Sequence, residues 1–87
     1  MVVYSVCIKR SAEREIDRLA LAVRRRVVAK IAALASDPRP YGCQKLTGED
    51  KYRLRQGDYR IVYTIEDDVV TVTVVRVAHR ADVYRRT

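Results

Sequence analysis

The stretch "YRLRQGDYRIVY", residues 52–63, sets three arginines among alternating apolar residues on either side of a Gln-Gly-Asp turn. Successive side chains of a strand point to opposite faces. Tyr52 and Leu54 therefore share one face, with Arg53 and Arg55 on the other. Beyond the turn Tyr59, Ile61, Tyr63 and Ile65 share a face, with Arg60, Val62 and Thr64 opposite. A two-residue turn at Gln56-Gly57 sets Arg53 opposite Arg60, and one at Gly57-Asp58 sets Arg55 opposite Arg60. Both gather the three arginines on one side. A three-residue loop in a regular ladder would mix arginines with tyrosines, so register disfavours it. A second hairpin turning at Asp67-Asp68 pairs Ile65 with Val70, Tyr63 with Val72 and Ile61 with Val74. The open face then carries Arg53, Arg55, Arg60, Thr64, Thr71, Thr73 and, at the strand end, His79.

Upstream, residues 2–8 alternate, are rich in valine and read as a strand. Ser11 is the expected N-cap of a helix, with Glu13 and Glu15 in the first turn where the helix dipole favours acids. Ala12, Ile16, Leu19 and Ala20 make one apolar face. Val23, Val27, Ile31, Leu34 and Ala35 make a second at helical spacing. The spacing predicts a helical hairpin broken near residues 19–22, with one long helix over 11–36 as the alternative. Pro38 and Pro40 end the helical region. "CQKLTGED", residues 43–50, reads as a loop, and strands are expected at 51–56, 58–66 and 69–78. The fold class is α+β in the order β-α-α-β-β-β: a small, twisted, largely antiparallel sheet with a helical hairpin on one face, in a single domain over 1–87.

The 87 residues suit one compact domain, and 48% hydrophobic residues argue against global disorder. No apolar run approaches a membrane span. The opening "MVVYSVCIKR" has no basic segment ahead of an apolar one, which argues against a secretory signal and for the cytoplasm. Cys7 and Cys43 are too few for a disulfide framework and lack metal-ligand spacing, so no metal site is expected. Cys7 alternates within an apolar run and is expected in the core. Net charge is +7, and 14 of 18 basic residues are arginine, which points to a polyanionic or acidic partner. Arginine grips phosphate with a planar fork that lysine lacks.

Like charges opposed across a sheet destabilise it. Either the arginines are solvated, splayed or paired with Asp58 and Glu49, or they converge on an anion that relieves their repulsion. The chain ends "VVRVAHRADVYRRT", which crowds Arg80, Tyr84, Arg85 and Arg86 around the lone histidine. His79 could move a proton near neutral pH, or be a surface residue at a strand end. Tyr84 could stack on a base or anchor the tail.

The pieces "YRLRQGDYRIVY" and "HRADVYR", with "SAEREIDRL" in the first helix, resemble the RelE branch of the RelE/ParE toxin superfamily over nearly the whole chain. The resemblance implies a toxin that enters the ribosomal A site and cuts mRNA there. The ribose 2′-hydroxyl is the nucleophile, and no metal or other cofactor takes part. It also implies a RelB-like antitoxin that wraps the toxin and with it represses the shared operon, as a toxin–antitoxin heterotetramer in one arrangement. Arg60, Arg80 and Tyr84 match catalytic positions of the family. Arg53 and Arg55 stand where the best-studied members carry lysines. Arginine stays protonated, so these two hold phosphate and stabilise charge but do not act as bases. His79, Glu49 or a ribosomal group must take the proton, and His79 is favoured. Lys45, Lys51 and Arg85 are expected to bind substrate around this centre. The same fold also carries ParE-like poisons of DNA gyrase, and the arginine substitutions leave room for a catalytically weak RNA-binding relative.

Overall fold

The structure is a computed structural model that describes residues 2–83. Strand β1 (Ser5–Ile8) leads into helix α1 (Arg10–Asp17) and helix α2 (Leu21–Ala33), followed by strands β2 (Gln44–Lys45), β3 (Tyr52–Gln56), β4 (Tyr59–Glu66) and β5 (Thr71–His79). The five strands lie in the order β1-β5-β4-β3-β2. β1 runs parallel to β5, and the other pairs are antiparallel. The α+β class and the helical hairpin are as expected, and the helices break at residues 18–20 rather than running on as one.

Three local expectations are corrected. The N-cap of α1 is Lys9, so Ser11 lies inside the helix; the helix starts as soon as the chain leaves β1, where the Lys9 N–H bonds the Val74 carbonyl at 2.8 Å. Part of the expected 43–50 loop forms the short edge strand β2, with Gln44 opposite Arg53 and Lys45 opposite Tyr52. Cys7 is exposed rather than in the core. It lies on the sheet's edge strand opposite Thr73, on the face the helices do not cover.

The core is the layer between helices and sheet. Ala12, Ile16, Val27, Ile31 and Leu34 pack on Leu54, Ile61, Tyr63, Val72, Val74 and Val77. Burying each of the larger side chains contributes about 1.5–3 kcal/mol before entropy is counted. Tyr63 is fully buried and donates its hydroxyl to the Pro38 carbonyl at 2.9 Å, which draws the segment after α2 onto the sheet. Arg39 continues that attachment: its guanidinium bonds both Asp67 carboxylate oxygens at 2.9 and 3.2 Å and stands 5.3 Å above the Tyr52 ring.

The first hairpin takes the Gly57-Asp58 register, with Arg55 opposite Arg60 and Leu54 opposite Ile61. Gly57 has φ +57° at the first position of the two-residue loop, the place where a type II′ turn favours glycine. The second hairpin differs from the expected register. A 3₁₀ turn over Asp67–Val69 and a left-handed Val70 (φ 51°) widen the connection. Ile65 therefore faces Val72 and Tyr63 faces Val74. The shift is two residues, so the faces survive it.

A β-bulge changes more. The register jumps between Val62 and Tyr63, because Val62 pairs with Arg76 and Tyr63 with Val74, which leaves Val75 without a partner in the ladder. Such an extra residue reverses the in–out alternation beyond it. Val77, not Ala78, enters the helix-side core, and Ala78 joins the opposite face. Glu15 of α1 stabilises this turnover: its Oε1 accepts the Val77 N–H at 2.8 Å, and its Oε2 lies 3.5 Å from Arg76 Nε.

Candidate active site

The face away from the helices has a small core of its own. Val83 turns back after β5 and packs on Val62 and Ala78, with Leu46 and Val75 against them. The turn is closed by the Asp82 and Val83 N–H groups, which donate to the His79 carbonyl at 2.8 and 3.1 Å. Arg76 Nη2 also donates to the Asp82 carbonyl at 3.2 Å. The C-terminal turn on one side and the loop containing Leu46 on the other thus border a floor built from β3 and β4.

Arg60 lies in that floor. It faces Arg55 on one side and the small Ala78 on the other, and it is only 9% exposed. Its Nη1 donates to the carbonyls of Gly57 and Tyr59 at 3.0 and 3.1 Å, which folds the guanidinium over the hairpin turn. Its affinity for its proton is lowered, first by burial and then by Arg55, Arg53 and Arg80, with Asp58 opposing. Four cations therefore act on one place, and bound negative charge would relieve their repulsion.

Arg53 donates to the Gln44 carboxamide oxygen across the β2–β3 pair. Arg80 reaches the same end of the sheet because its N–H bonds the Asp58 carbonyl at 2.7 Å. Its side chain makes a long, exposed contact of 3.9 Å with the Asp58 carboxylate, a kind that contributes ~0–1 kcal/mol. Glu49 pairs at 3.7 Å with Lys51, not with an arginine. The pairing anticipated for Asp58 and Glu49 thus leaves Arg55 and Arg60 without an acidic partner within 4.0 Å among the described residues.

His79 is not on this face, which corrects its expected placement. Beyond the bulge it pairs with Tyr59, and the two rings meet edge to face at 5.6 Å and 87°. Tyr59 itself lines a groove with Val23 and Arg26 of α2, on the helix side. His79 Nδ1 accepts the Ala81 N–H at 3.1 Å. Lys45 likewise stands apart from the arginines, opposite Tyr52 and in a cavity wall with Arg39 and Asp67. Tyr84 and Arg85 lie outside the described residues.

The sequence reading missed Glu15 and Arg76. Their signal was present in "VTVVRVAH", residues 72–79, where strict alternation from Val72 and Val74 would bury Arg76. A charge at a core position marks a place where alternation breaks.

The sequence model described as the ParE toxin of type II toxin–antitoxin system, parDE, matches residues 6–84. This chain belongs to the RelE/ParE family of type II toxin–antitoxin toxins. Toxin RelG of Mycobacterium tuberculosis is 51% identical over 35 residues, a match spanning 40% of either chain. Among solved structures, the RelBE2 toxin–antitoxin complex of M. tuberculosis is similar with TM-score 0.81 and 33% identity, over 94% of this chain and 97% of that one. The intact Escherichia coli RelBE complex is similar with TM-score 0.75 and 32% identity, over 87% and 95%. The RelE–RelB complex of Pyrococcus horikoshii is similar with TM-score 0.78 and 26% identity, over 91% and 97%.

Proposed function

We propose that this toxin is a ribosome-dependent, metal-independent endoribonuclease of the cytoplasm. It cuts mRNA in the ribosomal A site, stops translation, and is restrained by a RelB-like antitoxin, as a heterotetramer in one arrangement. The observation that carries the reading is the placement of Arg53, Arg55 and the buried Arg60 on one face of the sheet, with Arg80 brought to the same end by its N–H bond to the Asp58 carbonyl. When a ribose 2′-hydroxyl attacks the adjacent phosphorus, negative charge builds on the phosphoryl oxygens before the bond to the 5′-oxygen breaks. The cut leaves a 2′,3′-cyclic phosphate and a 5′-hydroxyl. Arginines already held in place meet that charge without reorganising, which is the usual source of a large catalytic term.

None of these arginines takes the proton from the 2′-hydroxyl. With His79 turned toward Tyr59, that role passes to Glu49 or to a ribosomal group. Glu49 follows Leu46, which packs on the arginine face, and its carboxylate pairs with Lys51 at 3.7 Å. Tyr84 supplies a surface for a base, and Lys51 and Arg85 hold flanking phosphates. The RelB partners of the similar RelE structures support the choice of antitoxin.

Mapping the 5′ ends of a reporter mRNA with and without translating ribosomes tests this reading. Cuts within codons, found only with ribosomes, are the expected result. A ParE-like gyrase poison is the second reading, favoured by the description of the sequence model that matches the chain. Pulse labelling after induction separates the two: protein synthesis stops first for a ribonuclease, DNA synthesis for a gyrase poison.

A further inference from the structure

β2 covers the outer edge of β3 only at Tyr52 and Arg53, so β3 runs on past its neighbour as an open edge. α2 lies along this edge. Lys30 overhangs a cavity of about 290 Å³ lined also by Tyr41, Gln44, Arg53, Leu54 and Arg55. One helical turn earlier, Arg26 overhangs a second groove of about 240 Å³ formed with Val23, Gln56 and Tyr59, with Asp58 at its wall. Arg26 and Lys30 are spaced i, i+4 and so share a helix face. The first cavity has three cations and no acid in its lining. Lys30 has no acidic partner within 4.0 Å among the described residues. The Tyr41 ring beside it is fully exposed.

Arg53 and Arg55 belong to both places at once. Their strand parity puts them on the arginine face with Arg60, yet they also wall the cavity under Lys30. A chain of phosphates held at Arg60 therefore has a continuous row of cations leading around the β3 edge.

We propose that this edge, roofed by α2, is a second RNA-binding track. It holds the backbone of single-stranded RNA beyond the cut, with Lys30 and Arg26 on phosphates and Tyr41 as a platform for one base. The inference rests on the reading of the chain as an RNA-cutting toxin. Cationic grooves beside exposed aromatic rings are how proteins hold single strands without base specificity. An acidic segment of the antitoxin suits the cavity less well. Its lining offers buried Leu54 as its one aliphatic side chain, and a peptide needs an apolar pocket for its anchors.

The test uses a short, fluorescently labelled 2′-O-methyl RNA, which lacks the attacking hydroxyl and cannot be cut. Its binding to the free toxin is followed by anisotropy over a range of salt. Lys30→Ala and Arg26→Ala should each weaken binding by about three- to tenfold and reduce the salt slope by about 0.7. Tyr41→Ala should weaken it by about tenfold at unchanged slope. Lys30→Arg should restore wild-type binding. These side chains are exposed, so matching melting curves establish that each variant is folded. Wild-type affinity and slope in both Lys30→Ala and Tyr41→Ala would overturn the track. So would variants that keep RNA affinity but lose affinity for the antitoxin's acidic segment, which would give the surface to the protein partner. Because no cleavage is involved, a wild type inactive on ribosomes would sink the enzyme reading alone.

Discussion

Arg55 lies directly opposite Arg60 across the β3–β4 ladder, and neither has an acidic partner within 4.0 Å among the described residues. Two guanidinium groups in that position cost the fold stability. Arg55→Gln should therefore raise the thermal midpoint slightly at low salt, by the equivalent of ~0.2–1 kcal/mol. The gain should fade as salt screens the pair. Cleavage on programmed ribosomes should fall in the same variant. Phosphate or sulfate should stabilise the wild type by mass action, and Arg60→Ala much less. Equal stabilisation of both by the anion would remove Arg60 from the binding site. In single-turnover cleavage, Arg60→Ala should lose ~10²- to 10³-fold, as when one positioned oxyanion donor is removed.

His79 contacts Tyr59 rather than the arginines. His79→Ala should cost stability of ~0.5–1.5 kcal/mol, the scale of an edge-to-face aromatic pair, and His79→Phe should recover part of it. Single-turnover cleavage by His79→Ala should stay within about tenfold of wild type. General acid–base catalysis contributes ~10²- to 10⁴-fold. A loss of that size in His79→Ala would mean that the imidazole reaches the reacting atoms on the ribosome.

Glu15 does two jobs at the bulge, and they separate by substitution. Glu15→Gln keeps an oxygen acceptor for the Val77 N–H and loses only the charge facing Arg76. Glu15→Ala leaves that N–H without its partner, at a cost of ~1–3 kcal/mol. Denaturant midpoints should therefore fall in the order wild type, Glu15→Gln, Glu15→Ala. Similar losses in the last two would show that charge, not the acceptor, holds the bulge.

Asp67 accepts hydrogen bonds from Arg39 and from the Tyr4 hydroxyl, the latter at 2.7 Å. The Arg39 guanidinium, and then Tyr4, hold its carboxyl below the ordinary aspartate value. Across that interval the unfolded chain binds more protons than the folded one, so stability rises with pH there. The contribution is complete above the unfolded-state value and drains away as pH falls through the folded-state value. Asp67→Asn should melt below wild type at neutral pH, and the two curves should converge in acid. A gap that is constant with pH would show that the carboxylate charge is not what holds Arg39.

The common face of Arg53, Arg55 and Arg60 was legible in the sequence because it rests on local facts. Alternation has a period of two, and the Gly57-Asp58 loop joins strands that are neighbours in the chain. The helical hairpin was legible for the same reason, since apolar spacing within each helix marks its own buried side.

The tertiary structure decided what depends on distant partners. Cys7 is exposed because β1 ends up at the sheet edge beside β5, far along the chain. Arg60 is buried because it lies on the central strand β4, between Arg55 and Ala78, with its guanidinium folded onto the Gly57 and Tyr59 carbonyls. His79 is on the helix side because one extra residue at Val75 reverses the alternation, and that bulge is held by Glu15, 62 positions away from Val77. Strand parity can be counted along a sequence only as far as the ladder stays regular. Where a side chain from another element accepts the freed N–H, the count changes sign, and three-dimensional packing assigns the faces.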